Sequence, residues 1–141
     1  MRDIKFRGKS SCTGKWVYSS IFESFEDGEI CLGIREGNMS DMYNIQKETF
    51  GQYTGLKDKN EKEIYEGDIV KGVAIADEGS FDYLGQVIWY TFNHVIGWYI
   101  EDYNGGGWKI KQVRTKISTD HITGEVIGNI HDHPELLKEN Q

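Results

Sequence analysis

This chain of 141 residues predicts a mainly β fold, on three observations. Apolar and polar residues alternate with period two in one short segment after another. Glycine is frequent (17 residues) and proline rare (one), as short strands joined by tight turns require. Aromatic residues reach 13% of the chain, with four Trp and eight Tyr, and cluster among β-branched neighbours. No helical periodicity lasts three turns. The expected architecture is a small barrel or sandwich over about residues 64–131, with an N-terminal β region packed on it and a short C-terminal helix. The length suits one domain, with soft subdomains at residues 1–58 and 59–141.

The elements follow in order. In "IKFR", Ile4 and Phe6 alternate with Lys5 and Arg7, which marks a half-buried strand. "GKSSCTGK" is a turn, and "KWVYSSIF" is the second strand. Asp27-Gly28 between apolar runs is a hairpin signal, with "EICLGI" as the returning strand. "EGNMSDM" reads as a loop, and "YNIQKETF" as a strand or one helical turn. "GQYTGLKDKNEKEIYEGDIVK" (residues 51–71) is a strand end, then a charged hairpin turn centred on Lys59-Asn60. Leu56 and Ile64 flank that turn and pack inward, and a second strand enters through Gly67-Asp68. "DIVKGVAI", "LGQVIWYTF" and "VIGWYIE" are strands, with "ADEGSFD" a turn and the last two joined near Asn93-His94. "YNGGGW" breaks the pattern. "WKIKQVRTKI" resumes it, "ITGEVIGNI" is the last strand, and "HPELLKENQ" forms the terminal helix with Pro134 in its first turn.

The totals exclude several classes. Net charge is −7, which disfavours broad nucleic-acid binding. Two basic strips run against that trend. One is Arg2, Lys5, Arg7, Lys9 and Lys15, and the other is Lys109, Lys111, Arg114 and Lys116. No run approaches the ~18 apolar residues of a membrane span. "MRDIKFRGKS" has no apolar run, so no signal peptide is expected and Asn38-Met39-Ser40 is not read as a glycosylation site. Cys12 and Cys31 lack metal-site spacing and are expected to be free thiols in a reducing cytosol, a disulfide between them being the alternative.

Each chemical motif competes with a plainer reading. "GKSSCTGKW" has five residues between Gly8 and Gly14 and Trp16 where a phosphate-binding loop needs a hydroxyl, so it is a hairpin turn. "DKNEKEIYEGD" begins like a calcium loop at Asp58 and Asn60. Lys62 then stands at a ligand position and Glu63 at the required glycine, so the match fails. The carboxylates of Asp58, Glu61, Glu63, Glu66 and Asp68 are interleaved with lysines and read first as a solvated turn. Asp68 after Gly67 is expected to bond a backbone N–H at the strand entry. His131 and His133 would share one side of a strand and suit a metal, but no third ligand is near in sequence. They read first as a surface pair before the helix, with no metal and no cofactor. Trp89 and Tyr90 are adjacent, as are Trp98 and Tyr99, so each pair straddles a strand. With Trp108 they form the candidate partner-binding set.

Three runs resemble the YopX family of bacteriophage and prophage proteins. They are "IKFRGKSSCTGKWVYS", "TFGQYTGLKDKNEKEIYEGDIVK" and "GEVIGNIHDHPELL", in that order. The middle run is the most distinctive, with Gly51, Gln52, Tyr53, Thr54, Gly55, Asp58, Asn60, Gly67 and Asp68 as its tag. Glu61 departs from the pattern, standing where the family more often has glycine, so the turn is less suited to φ > 0. The resemblance implies a phage or prophage origin, the cytoplasm of a bacterial host and a tendency to oligomerise. It brings no catalytic residues. The leading expectation is a non-enzymatic protein-binding protein, a homo-oligomer or the partner of a phage or host protein, away from membranes. The alternatives are a nucleic-acid-associated protein using the basic strips, and an enzyme using the turn Asp58–Asp68 or the pair His131/His133.

Overall fold

The structure, a computed structural model, describes residues 4–36, 39–76, 79–92, 95–102, 113–116 and 124–138. It is mainly β. Among the described residues there are twelve strands: β1 (Phe6–Lys9), β2 (Trp16–Ser19), β3 (Ile21–Ser24), β4 (Ile30–Glu36), β5 (Met39–Ile45), β6 (Gly51–Lys57), β7 (Glu63–Tyr65), β8 (Asp68–Ala76), β9 (Gly79–Phe92), β10 (Val95–Asp102), β11 (Val113–Lys116) and β12 (Glu125–Asn129). A 3-10 turn covers Lys47–Thr49, and one short helix, α1, covers Glu135–Lys138 behind Pro134. The strands form antiparallel sheets ordered β2-β1-β6-β7, β3-β4-β5 and β11-β10-β9-β8-β12. The last order is open, with β11 and β12 at its two ends, so the sheet is not the closed barrel that one form of the expectation held.

The chain divides into two compact units, Met1–Tyr53 and Thr54–Gln141. In the first, Val17, Leu32 and Ile45 are buried together, with Phe6 and Phe50 packed against them. Gly8 makes this possible: a Cβ there would overlap Ile45. The hairpin at Asp27-Gly28 forms as its turn chemistry requires, with Gly28 at φ +88° and the Asp27 carboxylate accepting the Glu29 N–H at 3.0 Å. "KWVYSSIF" splits at Ser20 into β2 and β3, which enter different sheets. The expected loop "EGNMSDM" is corrected in its described part. Met39–Met42 pairs with Gly33–Glu36 of β4 in continuous register, because cross-strand pairing outweighs the local Ser and Asp content.

In the second unit Ile64, Val70, Tyr83, Val87 and Ile100 form the core, with Leu56, Trp98 and Val126 against it. Leu56 and Ile64 thus pack inward from the two sides of the charged turn. Strand β9 is longer than its sequence pattern: pairing Ala76↔Gly79 to Ile69↔Gln86 carries β8 and β9 through residues expected to turn. The segment 103–112, with Trp108, Lys109 and Lys111, lies outside the described residues, as do Arg2 and the Asn93-His94 junction.

Candidate functional site

The charged turn is built around one carboxylate. Asp58 is 1% exposed and Asp68 2%, which corrects the solvated turn expected for them; such burial would be costly for an isolated charge. The Asp58 Oδ1 accepts the N–H of Asn60 at 2.8 Å and of Lys62 at 2.9 Å. Its Oδ2 accepts the N–H of Val126 at 2.9 Å, from β12. Burial alone would raise the Asp58 pKa, but the three N–H donors (Val126, Lys62 and Asn60) and the Lys62 charge outweigh it and hold the carboxyl below its ordinary value. Backbone bonds from Asp58 N–H to Lys62 O (2.9 Å) and from Glu61 N–H to Asp58 O (3.0 Å) close the turn. Glu61 sits at φ +65°. From Lys59 the N–H reaches Gly124 O at 3.0 Å, and the Asn60 amide reaches the Glu125 carboxylate at 3.4 Å. The turn of one family run is therefore stapled to the start of another, some 65 residues on.

The neighbouring tag residues also have structural partners. Thr54 Oγ1 donates to Ile64 O at 2.8 Å and accepts the Leu56 N–H at 3.1 Å, beside Gly55 at φ +85°. Gly51 and Tyr53 are buried, with Gln52 half-buried between them. Asp68 is buried, and its Oδ2 accepts the Tyr65 N–H at 2.7 Å, the strand-entry bond its sequence suggests. Gly67, at φ +90°, donates to Val87 O at 3.0 Å and accepts from Ile130 N–H at 2.9 Å. His131 and His133 lie beyond the end of β12 rather than in a strand, so the alternation that would have placed both imidazoles on one side does not apply. The Asn129 Oδ1 organises this corner by accepting the N–H of His131 (3.0 Å) and Asp132 (2.9 Å). Among the described residues no group of three His, Cys, Asp or Glu could hold a metal ion.

The aromatic set separates by environment. Trp89 and Trp98 are register partners on β9 and β10, with ring centroids 4.9 Å apart at 71°, an edge-to-face contact. Trp98 leans on the core, while Trp89, across from it on the same face, is 50% exposed. Tyr99 is 7% exposed on the opposite face, so its ring is part of the interior and not offered to a partner. The side chain of Tyr90 lies outside the described ones.

The first basic strip is woven into aromatic rings. Arg7 lies over Trp16 at 4.6 Å, Lys9 over the same ring at 5.6 Å, and Lys5 over Tyr53 at 5.4 Å. Arg7 is only 5% exposed, so its charge serves the sheet rather than an open surface. Arg114 and Lys116 lie on β11, their side chains outside the described ones. One group of exposed apolar side chains, on both faces of the β3-β4-β5 sheet, was not foreseen from the sequence. Ile21, Phe22, Phe25, Met42 and Tyr43 of the first unit are all exposed. The signal was present in "IFESF", an apolar segment before a hairpin turn that lacks the lysine or proline guarding most sheet edges.

Fold and turn chemistry together define a mainly β protein of open antiparallel sheets, whose most charged turn is a structural staple. The chain belongs to the YopX family: the family model, described as YopX protein, matches residues 5–138. It is also similar to a solved structure, protein EF1440 from Enterococcus faecalis, at 22% identity and a TM-score of 0.47, covering 97% of this chain and 99% of that one. No match is found among curated proteins. No helix among the described residues is long and apolar enough to cross a membrane.

Proposed function

We propose that this protein is a non-enzymatic accessory protein of a bacteriophage or prophage that acts in the host cytoplasm through protein–protein contacts, a second copy being its first partner. The half-exposed Trp89 carries this reading. A tryptophan buries roughly 150–250 Å² when enclosed, so covering the open half would contribute about 2 kcal/mol per copy at ~25 cal/mol per Å². Trp98 meets the Trp89 ring edge-to-face, and a contact that restricts the ring lowers the entropy lost on docking. Rigid, half-open aromatic anchors of this kind dominate binding energy at interfaces.

The enzymatic alternative gains no support from the charged turn. Asp58 is saturated by backbone donors and held ionised, which leaves it poorly suited to take up a proton. Light scattering over a concentration series tests the reading. An oligomer whose mass falls on dilution is expected. A strict monomer at every concentration, with tryptophan fluorescence unchanged throughout, would contradict it.

A further inference from the structure

The β3–β4 hairpin carries a surface separate from the Trp89 face. Strand β3 is the end strand of its sheet, pairs with β4, and has all four residues exposed. The bond from Phe25 N–H to Glu29 O at 2.9 Å sets the phase of the ladder. Antiparallel ladders alternate bonded and non-bonded pairs. Glu23↔Cys31 is therefore bonded, while Phe22↔Leu32 and Ser24↔Ile30 are not. The N–H and C=O groups of Phe22 and Ser24 point away from β4, along an edge with no lysine, proline or bulge.

The two faces of this edge differ: Phe22 leads one, and Ile21 shares the other with the Glu23 carboxylate. Phe22 meets Phe6 edge-on at 4.6 Å and lies 5.4 Å from Phe50, so an aromatic cluster runs from the core to an edge ring that is still 43% exposed. On the other face Ile21 and Met42 lean over Gly33. The charges within the hairpin itself have one sign. Residues 20–34 hold Glu23, Glu26, Asp27 and Glu29 and no lysine or arginine. Lys47 comes near the tip, its Nζ beside Gly28. The Cys31 thiol is pushed up by burial first, then by Glu23, Glu29 and Asp27, so these carboxylates act on one small region. A second copy of the hairpin would set carboxylate against carboxylate.

We propose that the β3 edge binds an extended peptide segment of another protein, basic and apolar in alternation, by strand addition. Backbone bonds to Phe22 and Ser24 supply the affinity, apolar side chains continue the Phe22 cluster, and lysines or arginines meet Glu23 and the turn acids. The probe is a synthetic peptide of about ten residues alternating lysine with valine and phenylalanine, with a glutamate-for-lysine peptide as control. It is titrated calorimetrically into the full chain, and amide exchange is followed by NMR.

Saturable binding of the lysine peptide alone is expected, with exchange at the Phe22 and Ser24 amides slowed at least about tenfold. Ser24→Pro removes one outward N–H at an edge position that tolerates proline, and Glu23→Lys reverses a charge. Each should weaken binding about tenfold while leaving the melting temperature near that of the parent. Trp89→Ala should bind the peptide as the parent does, which separates this site from the Trp89 face. No saturable binding, equal binding of the glutamate peptide, or unprotected Phe22 and Ser24 amides would overturn the proposal. The exchange readout on the unaltered protein decides even if a variant fails to fold.

Discussion

At the scale of single residues, Asp58 and Glu61 show opposite ways of holding one turn. Asp58 is an ionised group in a buried place, stable because three N–H donors replace its water. Asp58→Asn keeps the shape but puts an NH₂ where an acceptor is needed, and should cost about 1.5–3 kcal/mol in urea unfolding. The pH dependence follows from the sign of the shift. The folded pKa lies below the unfolded one, so this stabilisation is complete above the ordinary carboxylate range and is lost as pH falls through the folded value. The unfolding midpoint should therefore drop in acid more steeply for the parent than for Asp58→Asn, and parallel profiles would refute the role given to this carboxylate.

Glu61 is the strained counterpart. It holds φ +65° without being glycine. The left-handed conformation costs an ordinary residue roughly 1–2 kcal/mol, and glycine's greater freedom in the unfolded chain offsets part of the gain. Glu61→Gly should stabilise the fold by about 0.5–1 kcal/mol, read from the same midpoint. A loss of stability would show that the Glu61 side chain contributes more than the strain it brings.

At the scale of elements, turn chemistry was legible and strand length was not. Asp27-Gly28 and Gly67-Asp68 act through residues within a few positions of one another, so the sequence displays their cause directly. The inward packing of Leu56 and Ile64 was readable for the same reason. The Lys59-Asn60 turn was legible in place but not in burial: Asp58 was expected in solvent, and its partner Val126 lies far along the chain. Met39–Met42 and the start of β9 were not readable, because their strand state comes from partners supplied by β4 and β8. For the His131/His133 pair, it is the alternative metal reading that the structure undercuts. Its metal reading assumed a strand, but Asn129 captures two backbone N–H groups and turns the chain there. Nor could spacing show that Arg7 would be spent on Trp16, since that contact depends on the pairing of β1 with β2.

At the scale of the whole molecule, the family runs and the exposed surfaces divide the work. The run at residues 51–71 and the run from Gly124 meet through Asp58, Lys59 and Asn60, so the family tag reads as the means by which the second unit holds its last strand. Among the described residues, the two surfaces proposed for recognition are Trp89 in the second unit and the β3 edge in the first. The central claim is that the protein works by contact, with Trp89 as an anchor of self-association. Sedimentation equilibrium of Trp89→Lys beside the parent tests it most directly. The account predicts that the parent associates and that the variant, with an unchanged melting temperature, associates at least about tenfold more weakly, since a buried aromatic anchor is worth about 2 kcal/mol or more. Equal association constants for the two proteins would contradict it.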